Sequence, residues 1–78
     1  MPRYFFNLYD DDISLDPEGS ELDSLDEARR DATINLRSLA AEQVLTGRLS
    51  LEDRIEIADQ TGAVLDTVSM RDCVELEG

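Results

Sequence analysis

The sequence predicts an α+β domain in which a small antiparallel sheet of three to four strands packs against one long helix, in the order ββαββ. Three observations carry that prediction: an alternating aromatic run at the start, a capped stretch of helical period in the middle, and a pair of alternating runs joined by a turn near the end. The 78 residues read as one domain, 1–78, with no linker. At that size a single core leaves only a few kcal/mol of net stability, and pairing with a second copy is a common remedy.

Arg3 to Tyr9 forms the first strand, with Tyr4, Phe6 and Leu8 on the inward face and Arg3, Phe5, Asn7 and Tyr9 on the other. Asp10, Asp11 and Asp12 end it, because adjacent like charges do not share a buried ladder and Asp bonds readily to its own backbone in turns. Ile13 and Leu15 flank Ser14 in a short returning arm. Asp16, Pro17, Glu18 and Gly19 make a turn, with Pro fixing φ and Gly free to take positive φ.

Ser24 and Glu27 have the spacing of a capping box, in which the hydroxyl accepts from the Glu27 N–H and the carboxylate reaches back to the Ser24 N–H. Helical period then runs to Thr46, with Gly47 just past the end, a helix of about 22 residues and roughly 33 Å. At 100° per residue, Leu25, Ala28, Ala32, Leu36, Leu39, Ala40 and Gln43 fall in one arc, assigned to the sheet. Ile34, Ala41 and Leu45 lie opposite it as a second apolar strip. That strip has three readings: scattered exposed side chains, a surface covered by the C-terminal tail, or a partner surface whose simplest occupant is a second copy.

After Gly47 a connection through Leu49 and Leu51 leads to a hairpin. Ile55 and Ile57 point inward and Glu56 outward, Gln60, Thr61 and Gly62 turn, and Ala63 to Met70 returns. In the tail, Val74 and Leu76 alternate as in a strand, whereas Cys73 and Leu76 would share one side of a helical turn. A short irregular or helical end is preferred.

Nineteen acidic residues face seven basic ones, all Arg, for a formal net charge of −12. Nine of those acids lie between Asp10 and Glu27, where there is no Arg or Lys. Such a surface repels nucleic acid and anionic membranes, whose binding needs Lys or Arg against phosphate, so neither is expected as a partner. No window is apolar enough to span a bilayer and the start is too soon polar for a signal peptide, which makes the cytoplasm the expected compartment. A lone cysteine, Cys73, agrees with a reducing environment.

Several of these stretches are familiar together. Pro2-Arg3-Tyr4-Phe5-Phe6, the run Asp16 to Leu22 with Gly19 and Glu21, Ala28-Arg29-Arg30-Asp31-Ala32, Ile55-Glu56-Ile57 followed by Gly62, and Arg71-Asp72 resemble a family of small bacterial proteins classed as a domain of unknown function. The resemblance covers almost the whole chain and implies the fold and a bacterial source, with no catalytic residues. The chain departs from the family at Asn7, where His is expected in many relatives, so the resemblance carries no proton or metal role to that position.

Chemistry of the common kinds lacks its groups here. With no His, the usual general base and the usual partner of a Ser or Cys nucleophile are missing. Cys73 reads as a core thiol, no cofactor motif is present, and the chain is expected not to be an enzyme. Counting from Asp10, the residues Asp12, Ser14, Asp16, Glu18 and Glu21 match the ligand spacing of a calcium loop, which singles out Asp10, Asp12 and Glu21 as metal candidates. Leu15 where the loop needs Gly, Pro17 where it needs an N–H, and a preceding strand in place of a helix count against that site.

Protein contact remains. Phe5 and Tyr9 beside Arg3 are residue types enriched at interface hot spots, on the sheet face away from the helix. The leading expectation is a homodimer using Ile34, Ala41 and Leu45 or the Phe5 and Tyr9 face. Alternatives are a basic protein partner steered by the acidic segment, including mimicry of nucleic acid toward such a protein, and weak binding of a divalent ion or small ligand by the loop Asp10 to Glu21.

Overall fold

The computed structural model describes residues 2–75, so the expectation for Leu76 lies outside the described residues. β1 (Arg3–Tyr9) runs through the middle of an antiparallel sheet in which β2 (Ile13–Ser14), β1, β4 (Arg54–Ala58) and β5 (Val64–Ser69) are neighbours in that order. β3 (Ser20–Glu21) also pairs with β1. The inward alternation is as predicted: Phe6 lies opposite Ile57 and Leu8 opposite Ile55, while Asn7 lies opposite Glu56 and Tyr9 opposite Arg54. The predicted α+β class is the observed one, and the short strand β3 before the long helix and a short helix after β5 are additions to the predicted ββαββ order.

The edge of β1 away from β4 is closed in an uncommon way. Leu8 pairs with Ser14 at one end and Tyr4 with Ser20 at the other, so the five residues from Leu15 to Gly19 must pass the three from Phe5 to Asn7. The surplus bulges outward, and Asp16 turns its side chain back into the gap. Its Oδ2 accepts from the Phe6 N–H at 3.2 Å, its Oδ1 from the Glu18 N–H at 3.2 Å and the Gly19 N–H at 3.0 Å. Its own N–H donates to Asn7 Oδ1 at 3.0 Å. A carboxylate and an amide thus take the places of ladder carbonyls, which gives Asn7 a structural role.

Gly19 makes the bulge possible. Its φ is +73°, and a Cβ there would sit 2.9 Å from Arg3 Cγ and 3.0 Å from the Tyr4 carbonyl oxygen. Gly19→Ala is therefore expected to cost about 2 kcal/mol or more, since the left-handed conformation alone costs a residue with a Cβ about 1–2 kcal/mol. Gly47 has a φ of +88° with nothing within 4 Å of the added carbon, so Gly47→Ala should show the conformational part alone. Urea denaturation of both variants checks the difference.

The helix α1 (Leu25–Leu45) begins at Ser24, whose Oγ accepts from the Glu27 N–H at 3.2 Å. The reciprocal bond differs from expectation, because Glu27 Oε2 accepts from the Asp23 N–H at 3.2 Å rather than from Ser24. At the other end the Gly47 N–H donates to the Val44 carbonyl and the Arg48 N–H to the Gln43 carbonyl, a Schellman end satisfied by the left-handed glycine. Ala28, Ala32, Leu36 and Ala40 of the predicted arc are buried, and the small residues let the helix lie close on Ile55, Ile57 and Val68. The tail forms one turn, α2 (Met70–Cys73), capped by Ser69, and it seals the core with Met70 and Cys73.

Among the described residues no strand pairs with the outer edge of β5. The β4–β5 turn is held instead from within, by Asp59 Oδ1 accepting from the Thr61 N–H, the Thr61 hydroxyl and the Ala63 N–H.

Candidate interaction surfaces

Three surfaces could carry a function: the acid-lined edge of β1, the sheet face opposite α1, and the outer side of α1. Most of the acidic edge is accounted for by local structure. Asp10 Oδ1 accepts from the Asp12 N–H at 2.9 Å and the Asp10 N–H donates to the Asp12 carbonyl, so these two close the β1–β2 turn on themselves. Asp16 holds the bulge. Burial pushes its carboxyl upward, but the N–H bonds from Gly19, Phe6 and Glu18 outweigh it and leave the group below the ordinary carboxylate range.

The structure separates the metal candidates. Glu21 pairs with Arg3, to which it is also salt-bridged at 3.2 Å, whereas Asp10 and Asp12 sit beyond Tyr9 at the other end of β1. At about 3.3 Å per residue those ends are roughly 20 Å apart. The spacing that resembles a calcium loop presupposes a chain wrapped around one point, and here it is drawn out along a strand. Among the described residues no three His, Cys, Asp or Glu side chains gather as a metal site.

On the sheet face away from α1, Phe5 and Tyr9 are half-buried. The Arg54 guanidinium lies 4.4 Å from the centre of the Tyr9 ring and bonds Glu56 at 3.4 Å, so Tyr9 already has an intramolecular cover. Phe5, Asn7, Leu15 and Ala58 line a shallow hollow of about 220 Å³.

The outer side of α1 is different. Ile34, Val44 and Leu45 are 59%, 61% and 87% exposed, and Ala41 is exposed between them. Among the described residues the tail leaves this strip uncovered: Met70 and Cys73 of α2 pack into the core, and the Cys73 carbonyl accepts from Arg37 Nε at 2.9 Å beside the strip. Ile34 stands between two hollows. One of about 520 Å³ is lined by Arg29, Arg30, Thr33 and Arg37, and one of about 230 Å³ by Leu22, Glu27, Arg30 and Asp31. Arg29 is turned down onto Asp66 of β5, whose carboxyl this bond holds low, so Arg30 and Arg37 are the cations of the outer rim.

One buried polar group escaped the sequence reading. Asp53 is 4% exposed, and its Oδ2 accepts from Gln43 Nε2 at 2.6 Å while Gln43 Oε1 accepts from the Ser50 N–H at 2.9 Å. The signal was Gln43 itself, the polar member of an otherwise apolar arc. The pair ties the linker after α1 to the helix end, beside a cleft of about 170 Å³ that Asp10, Asp11 and Arg48 also line. Cys73 is buried, as its reading as a core thiol requires. No helix among the described residues is long and apolar enough to cross a membrane.

Comparison with known proteins gives a family and nothing finer. No curated protein and no solved structure matches the chain. A family model, Domain of unknown function (DUF6894), matches residues 3–71, from the first residue of β1 into α2. The bulge at Asp16, the capped helix and the β4–β5 hairpin all fall within that span, and the chain belongs to the DUF6894 family.

Proposed function

We propose that this protein is a bacterial, cytoplasmic, non-enzymatic module that acts through protein contacts and pairs with a second copy of itself. The observation that carries this reading is the apolar strip Ile34, Ala41 and Leu45, exposed on the side of α1 opposite its buried stripe. A monomer of this size gains nothing from holding such side chains in water, whereas burying them against another copy adds to a small core. The absence of His and the burial of the one thiol support a role without catalysis.

Light scattering after size exclusion tests the dimer. The expected mass at about 100 µM is that of two chains, and Ile34→Asp or Leu45→Asp should return it to one chain without loss of helical circular dichroism. A single-chain mass for the unaltered protein across that concentration range would sink the reading. A basic protein partner is a second reading, favoured by the exposed carboxylates of Asp11, Asp12 and Glu18 along one edge. Reversing Asp11 and Asp12 to Arg should slow association with such a partner severalfold and leave self-association nearly unchanged.

A further inference from the structure

We infer that the second copy docks on α1 in parallel, with the two-fold axis running along the helices. This rests on the dimer reading above and specifies its geometry. At 100° per residue, Ile34, Ser38, Ala41 and Leu45 form one line directly opposite the buried stripe. The flanks of that line differ in charge. On one side stand Arg30 and Arg37, both exposed, with exposed Asp26 and Val44 at the two ends of the row, and Arg37 donates through Nε to the Cys73 carbonyl. On the other stand Asp31 and Glu42, also exposed, with Asn35 between them.

Two-fold symmetry allows two ways to pack such a helix against itself. An axis perpendicular to the helices makes them antiparallel and sets each flank against its own copy, arginine facing arginine and carboxylate facing carboxylate. An axis along the helices makes them parallel and sets each basic flank against the partner's acidic one. Charges flanking an apolar seam decide the orientation of paired helices in this way, through residues five apart in the parallel case. Arg37 and Glu42 have that spacing, so each dimer gains the pair twice.

The shape of the surface agrees. Ile34 is a ridge with a hollow on either side: Arg29, Arg30 and Arg37 outnumber Asp26 in the larger, while Glu27 and Asp31 outnumber Arg30 in the smaller. The acid-lined edge of β1, with no Arg or Lys between Asp10 and Glu27, would set carboxylates against carboxylates. A seam on a single helix is at the small end of specific interfaces, so the association belongs to the micromolar range.

Cysteine cross-linking reads the orientation directly. With Cys73 replaced by Ser, Ile34→Cys and Leu45→Cys should each oxidise to a disulfide-linked dimer when separate, because the parallel axis places each position beside its own copy. An antiparallel dimer would give little cross-link with either alone and efficient cross-link when the two variants are mixed, and that result would overturn the inference while leaving the dimer standing. A charge exchange supplies an independent readout. Arg37→Glu and Glu42→Arg should each weaken self-association about tenfold, and an equal mixture should recover the original affinity as a heterodimer. Failure of the mixture to recover, with both variants folded by circular dichroism, would also overturn the parallel geometry. A single-chain mass for the unaltered protein at every concentration would overturn both the dimer and this docking mode.

Discussion

Leu36→Ala is expected to remove most of the protein's stability. Leu36 is fully buried, and the other buried residues of α1, Ala28, Ala32 and Ala40, are small. Leu36 is therefore the large side chain at the centre of the contact with Ile55, Ile57 and Val68, with Leu25 and Leu39 packing partly buried toward either end. Truncation leaves a cavity that neighbouring alanines cannot collapse into, a situation that costs about 3–5 kcal/mol. A domain of this length holds roughly 4–12 kcal/mol in all. With a urea dependence near 1 kcal/mol per molar, the midpoint should fall by about 3 M or the variant should be unfolded before urea is added. A fall under about 0.5 M would show that α1 is held by something other than this contact. Leu36→Met, which keeps the volume, should lose less than about 1.5 kcal/mol.

Asp16→Ala is the second large effect, expected at about 2–3 kcal/mol. The substitution strips acceptors from the Phe6, Glu18 and Gly19 N–H groups at once, and the Phe6 donor lies in a half-buried edge that water reaches poorly. The same carboxylate makes stability depend on acidity. Its pKa in the folded chain lies below the ordinary value of 3.8, so the unfolded chain takes up the proton first as pH falls. The contribution is complete above the unfolded value and disappears as pH drops through the folded one. Urea midpoints measured from pH 7 down to pH 3 should therefore fall faster for the unaltered protein than for Asp16→Ala, and the gap between them should narrow below about pH 4. Parallel curves across that range would contradict the role given to Asp16.

What could be read from the sequence was whatever repeats with a period. Alternation placed Tyr4, Phe6 and Leu8 inward, the 100° arc named Ala28, Ala32, Leu36 and Ala40, and Ser24 and Gly47 gave the two ends of α1. These are local signals, and each is set by residues a few positions apart. Asp16 was legible only as part of a turn, because its partner Phe6 is ten residues away and side-chain bonds to a distant backbone leave no periodic trace. Asn7 and Asp53 were missed for the same reason. The spacing of Asp10, Asp12 and Glu21 matched a ligand template that Leu15, Pro17 and the preceding strand already counted against, and the register of β1 against β2 and β3 lays the count out in a line.

The two margins of the sheet age differently in acid. One is backbone that nothing covers among the described residues, at β5, and is the same at every pH. The other is shut by a side chain that can be neutralised. Toward the calculated isoelectric point of about 4.1 the net charge of the chain falls away, and at lower pH, below the ordinary carboxylate range, Asp16 takes up its proton and its hold on the β1 edge weakens. Acid thus removes the charge between copies first and loosens the Asp16 edge second, and only the second step offers a pairing margin beyond the one at β5.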